Sequence, residues 1–148
     1  MFTHLLVTLD GSSRAESVLP HSLSIAASMG AELTLLRIVD AVSADWSERG
    51  ALGPSQLEAA SRNAFAEQAR AYLERLAVPM RQRGVIVNVL VRQGTAARQI
   101  VAAAKDIEAD AIAMATHSRR GLNRLMFGSV AEEVLHAANI PVILVPAA

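Results

Sequence analysis

Five short apolar runs alternate with longer segments of helical period, and this alternation limits the possible folds more than any other feature of the chain. Thr3 to Leu9 is mostly apolar and is stopped by Asp10-Gly11-Ser12-Ser13, the pattern of a buried strand running into a turn. Glu32 to Val39, Val85 to Val91, Ala111 to Thr116 and Val142 to Val145 repeat it. In the second run Leu33, Leu35, Leu36, Ile38 and Val39 are apolar on both faces, as an interior strand of a parallel sheet requires. Between the runs, Phe65, Ala69, Tyr72, Leu73 and Leu76 fall on one face of a helix over Ser55 to Arg83. Ile100, Ala104 and Ile107 do the same over Ala96 to Glu108, and Ser129 to Ala138 forms the last helix. Strands and helices alternating in this way predict an open parallel α/β sheet with helices on both faces, joined by right-handed crossovers.

Local signals add detail. Ser13-Arg14-Ala15-Glu16 has capping-box spacing and opens the first helix, which Gly30 ends. Pro20 is expected to kink that helix, and Pro79 to bend or end the second one early. Ala41 to Pro54, with Gly50, Gly53 and Trp46, reads as a mobile connection; Trp46 either packs locally or lids a pocket.

At 148 residues, 52% hydrophobic and 19% charged, residues 1–148 are expected to form a single compact domain rather than a disordered chain. Fourteen basic and fourteen acidic side chains cancel, which argues against a general polyanion binder, so no nucleic acid partner is expected. The absence of cysteine excludes disulfides, thiol nucleophiles and thiolate metal clusters. No apolar run approaches the roughly 18 residues of a spanning helix, and Met1 to Val7 lacks a basic segment. A cytoplasmic location without membrane contact is the corresponding expectation.

In an open parallel sheet, ligands bind beyond the carboxyl ends of the strands where the strand order reverses. Several chemistries lack their residues there. A phosphate loop needs a lysine after its glycines, but the single lysine, Lys105, lies far along a helix, and Gly-x-Gly-x-x-Gly is missing too. A phospho-receiver would need an acceptor aspartate after the third strand, where Arg92 stands. There is no Gly-x-Ser-x-Gly and no His-Glu-x-x-His, and the four histidines are scattered. His117 reads as a loop hydrogen-bonder. What remains is His117 to Ser129, which carries Arg119, Arg120 and Arg124 and no acid, and leads into a helix start at Gly128-Ser129-Val130-Ala131. Free N–H groups and the dipole at such a start favour a phosphate. The alternative is that the arginines are solvated and that Ser129 with Glu132 forms a second capping box. Asp10 has two readings as well: a ligand for a ribose, a base or a phosphate-bound metal, or a turn former assisted by Gly11.

At these residues the sequence resembles the universal stress protein family, over nearly the whole chain. Val7-Thr8-Leu9-Asp10-Gly11-Ser12 looks like the family's first strand and turn, and Leu33 to Asp40 like its second strand. The most specific match runs from Ala111 through Thr116-His117-Ser118-Arg119-Arg120-Gly121 and Gly128-Ser129-Val130-Ala131-Glu132 to Val145. The resemblance implies a Rossmann-like five-stranded sheet in the order 3-2-1-4-5, a homodimer and, in one branch, bound ATP with a divalent cation such as Mg or Mn. That branch carries Gly-x-x-Gly, nine residues, then Gly-Ser or Gly-Thr. Here the spacing is kept, with Ala115 and Ser118 in place of the leading glycines and Gly128 and Ser129 matching.

Carried over by position, Thr8, Leu9 and Asp10 would line one side of an adenine nucleotide and Ile38 would pack on the adenine. Met114, Ala115, Ser118 and Arg119, with Gly128, Ser129 and Val130, would hold ribose and phosphates. Three functions are therefore in play: a nucleotide-binding regulatory protein of the stress response, a stress-associated dimer acting by protein contact without nucleotide, and a slow ATP hydrolase. In the implied strand order Val142, Ile143, Leu144 and Val145 form an edge strand that is apolar on both faces, and pairing with its own copy is the expected dimer contact.

Overall fold

A computed structural model of the chain describes residues 1–39, 54–116 and 128–147. Along the chain lie β1 (His4–Leu9), a 3-10 turn (Ala15–Ser17), α1 (Val18–Met29), β2 (Glu32–Val39), α2 (Pro54–Arg81), β3 (Val87–Gln93), α3 (Ala96–Asp106), β4 (Ala111–Thr116), α4 (Ser129–Ala137) and β5 (Val142–Pro146). The five strands form one parallel sheet in the order β3-β2-β1-β4-β5. The chain builds outward from β1 to β3, crosses back, and continues from β4 to β5. The order therefore reverses between β1 and β4.

Strand alternation divides the core in two. Leu5, Val7, Leu33, Leu35, Ala111 and Ala113 face α1 and α2, where Val18, Leu73 and Ala77 meet them. Leu6, Leu36, Ile112 and Met114 face the other way, against Ala97, Ile100 and Ala104 of α3 and Ala131 and Val134 of α4. Leu5, Leu6, Leu33, Leu35 and Leu36 are fully buried, and burying each contributes about 1.5–3 kcal/mol. Alanines on the inner faces let α3 and α4 approach closely. α1 and α2 stand further apart, leaving a groove of about 550 Å³ walled by Leu19, Leu23, Leu76 and Met80, with Arg75 and Arg83 among its polar groups.

Several local expectations are corrected. The first helix is not opened by a box at Ser13. Ser12 accepts the Ala15 N–H on its hydroxyl at 3.1 Å, a 3-10 turn follows, and α1 begins only at Val18. Pro20 thus falls in the first turn, where a missing N–H is tolerated. α2 continues through Pro79 to Arg81; Pro79 is exposed, so water can reach the carbonyl left without its usual donor. Phe65, expected on the buried face, is 45% exposed, and Ala69 is the first buried side chain among those described in α2. The cause is length: the 28 residues of α2 span about 42 Å, whereas the 7 and 8 residues of β3 and β2 span about 23–27 Å. One end of the helix outruns the sheet. The expected connection with Trp46 and the loop from His117 to Phe127 lie outside the described residues.

Candidate functional site

The ladder between β1 and β4 joins Leu5 to Ala111, Leu6 to Ile112 and Val7 to Ala113, and stops there. Beyond it Thr8 and Leu9 pair only with β2, while Met114, Ala115 and Thr116 pair only with β5. The two central strands therefore diverge before β1 ends. A cavity of about 190 Å³ lies at this end of the sheet.

Of the eleven residues singled out in the sequence, Thr8, Leu9, Asp10, Ile38, Met114, Ala115, Gly128, Ser129 and Val130 line this cavity. Ser118 and Arg119 lie outside the described residues. Its walls also include Arg14, Ala15, Leu36, Ala96, Ile100 and Ala131, which sequence reasoning does not assign to it. Some of these have a legible signal. Leu36 shares the strand face of Ile38 at a spacing of two, and Ala96 and Ile100 share a helix face at a spacing of four. Arg14 has none, because its place depends on how the chain turns after β1.

The cavity has two chemically different ends. Leu36 and Ile38 of β2 with Ala96 and Ile100 of α3 make an apolar one. Asp10, Arg14, Gly128 and Ser129 make a polar one. Asp10 acts as the turn former: its Oδ1 accepts the Ser12 N–H at 2.8 Å and the Ser12 hydroxyl at 2.5 Å. Burial pushes its pKa up, but the Ser12 hydrogen bonds and the Arg14 charge outweigh that and hold the carboxyl below its ordinary range. Turn forming does not remove it from the cavity, so its two readings are compatible. Gly11 makes the turn possible. Its φ is +90°, and a Cβ there would stand 3.0 Å from the Arg37 guanidinium, which itself lies over the Tyr72 ring at 5.2 Å.

At the start of α4 the capping-box alternative is not what is built. The cap is Gly128, at φ 86° and ψ 155°, and its carbonyl accepts the Glu132 N–H at 3.0 Å. Ser129 is the first helical residue and is exposed. The amino end of α4 therefore faces the cavity with no side-chain cap from the described residues. Ala115 sits in regular β4, opposite Val145, and its φ is not positive. An alanine at that position carries no backbone strain. Among the described residues no cluster of three His, Cys, Asp or Glu side chains could hold a metal by itself. Asp10 is the carboxylate among the described lining residues. The arrangement suits a ligand with a flat apolar group at one end and an anion at the other.

The sequence profile of the Universal stress protein family matches residues 1–146. The chain belongs to the universal stress protein family. Universal stress protein MJ0531 of Methanocaldococcus jannaschii is 28% identical to it over 145 residues, covering 98% of this chain and 82% of the relative. The solved structure of MJ0577, from the same organism, matches with a TM-score of 0.83 at 26% identity, covering 100% of this chain and 98% of the other. More distant universal stress proteins share the fold. One was solved in complex with cAMP, at TM-score 0.67 and 16% identity, covering 99% and 98% of the two chains. Another, from Archaeoglobus fulgidus, was solved in complex with dAMP, at TM-score 0.59 and 21% identity, covering 96% of each chain. No helix among the described residues of this universal stress protein is long and apolar enough to cross a membrane.

Proposed function

We propose that this universal stress protein binds an adenine nucleotide, ATP with a divalent cation, in the cavity between the carboxyl ends of β1 and β4, and acts as a regulatory homodimer in the stress response. The carrying observation is the polarity of that cavity, apolar at β2 and α3 and open to a helix amino end at α4. Adenine packs on Ile38 and Ile100. Asp10 takes a ribose hydroxyl or the cation, and Ser129 with the first N–H groups of α4 takes phosphate oxygens. Ser118 and Arg119, outside the described residues, are assigned to the phosphates from the spacing of the family motif alone. That proteins of the same fold have been solved with cAMP and dAMP supports an adenine nucleotide as the ligand class.

Calorimetric titration with ATP and magnesium is expected to show one site per chain. No heat up to millimolar ATP, together with no nucleotide released when the purified protein is denatured in acid, would reject the reading.

The dimer is proposed through β5. This strand ends the sheet, its outer backbone edge has no partner strand among the described residues, and Val142, Ile143 and Leu144 remain only half-buried. Val145 already belongs to the core, so the three preceding residues carry the contact. Pro141 and Pro146 bracket the segment and limit pairing to about four residues. Sedimentation as a monomer at micromolar concentration would contradict this contact.

A further inference from the structure

The polar end of the cavity holds a cation that the arginine-rich loop does not supply. Arg14 lies between the β1 turn and the 3-10 turn Ala15–Ser17, and that 3-10 turn packs against β4. Arg14 is therefore carried toward the β4 and α4 side of the site, away from the apolar end at β2 and α3. It lines the cavity together with Asp10, Gly128 and Ser129.

Its charge matters there because acids are close. Asp10 lines the same end, and Glu132 stands in the first turn of α4. A phosphate approaching the α4 amino end meets their repulsion, which the helix dipole offsets only in part. The Arg14 guanidinium, lining the same end, supplies the balance. It presents a planar fork of N–H donors that matches two phosphate oxygens, and it stays charged at any working pH. Arg14 is exposed, and its charge already acts on the Asp10 carboxyl.

We infer that Arg14 reads the phosphates of the bound nucleotide, so that preference for ATP over the bare nucleoside is set in part from the β1 turn. The inference rests on the nucleotide reading above and goes beyond it by naming what sets phosphate dependence. Base and ribose are held by Ile38, Ile100 and Asp10, so adenosine needs Arg14 little.

The test is calorimetry with adenosine, AMP and magnesium ATP on the unmutated protein, Arg14→Gln and Arg14→Lys, with thermal melting to confirm folding. Arg14→Gln should weaken ATP by about tenfold, or about 1.4 kcal/mol, and change adenosine by less than about twofold. AMP should fall between, and Arg14→Lys should recover some of the ATP loss, since it keeps the charge without the fork. Equal weakening of ATP and adenosine would overturn the inference, because Arg14 would then merely shape the Asp10 turn. Unchanged ATP affinity in Arg14→Gln, with adenosine still bound, would overturn it and leave the nucleotide reading standing. Absence of any binding to the unmutated protein would overturn both.

Discussion

Two aspartates at opposite ends of the same sheet do different work. At the amino end, both oxygens of Asp110 are occupied: Oδ2 accepts the Thr3 N–H at 2.7 Å and the Thr3 hydroxyl at 2.9 Å, and Oδ1 accepts the His4 N–H at 3.1 Å. The neighbouring His4 ring meets Thr34 Oγ1 at 2.7 Å and Glu32 at 3.3 Å. That end ties together segments about a hundred residues apart and turns its polar groups on itself. At the carboxyl end, the bonds from Ser12 to Asp10 are local and converge on one oxygen. The central strands diverge there, and a helix begins at a glycine with no side chain among the described residues to cap it. The amino end is organised for stability. The carboxyl end keeps donors and a charge directed into a cavity.

Mutations should separate the two ends. The largest effect is expected at Gly128, whose φ of 86° and ψ of 155° lie in a region almost closed to other residues. Gly128→Ala should cost about 2 kcal/mol in urea unfolding and weaken ATP as well, since the start of α4 must move. Asp110→Ala comes next. It should lower stability by about 1.5 kcal/mol, after allowance for the solvent at its rim, and leave ATP affinity unchanged. Asp10→Asn should show the opposite pattern. The amide oxygen can still accept from Ser12, so stability should change by less than about 0.5 kcal/mol, while magnesium ATP weakens by about fivefold, near 1 kcal/mol. Equal losses of stability and binding in Asp110→Ala and Asp10→Asn would erase the distinction between the ends.

Acid gives a smaller effect with a definite sign. Both carboxyls are held below their ordinary range. At Asp110, burial pushes the pKa up, but the bonds from Thr3 and His4 outweigh it; at Asp10, the bonds from Ser12 and the Arg14 charge do the same. A depressed native pKa means stability that is present in full above the unfolded value of about 3.9 and is lost as pH falls through the native one. Stability should therefore fall below about pH 4, and Asp110→Ala should show a shallower acid slope than the unmutated protein in pH-dependent melting.

Much of this frame is readable from residue order. β2 and β4 match the apolar runs at both ends, and α3 begins where its period predicts. Boundaries fail where a neighbour decides them. β3 starts at Val87 and runs through polar Arg92 and Gln93 because β2 continues to pair with them as far as Val39; Ile86, which the apolar run places in the strand, is 65% exposed. Pro20 falls in the first turn of α1, where its missing N–H is tolerated, because the 3-10 turn delays the start of that helix. At the site, residues next to a motif or in phase with one are legible. The divergence of β1 from β4 is not, because it belongs to two segments that meet only in the folded sheet. Arg14 enters the cavity through the same tertiary arrangement. Ser129 and Glu132 have the spacing of a capping box, but the positive φ of Gly128 moves the cap one residue earlier.

The most direct test of the account is to follow backbone amide resonances while magnesium ATP is titrated into the unmutated protein. Binding between the strand ends predicts saturable shifts at Leu9, Asp10, Ile38, Ala96, Ile100, Gly128 and Ser129. Thr3, His4 and Asp110 at the other end of the sheet should stay in place, as should Leu23 and Met80 in the groove between α1 and α2. Shifts centred on the amino end or on that groove, or no shifts at millimolar ATP, would contradict it.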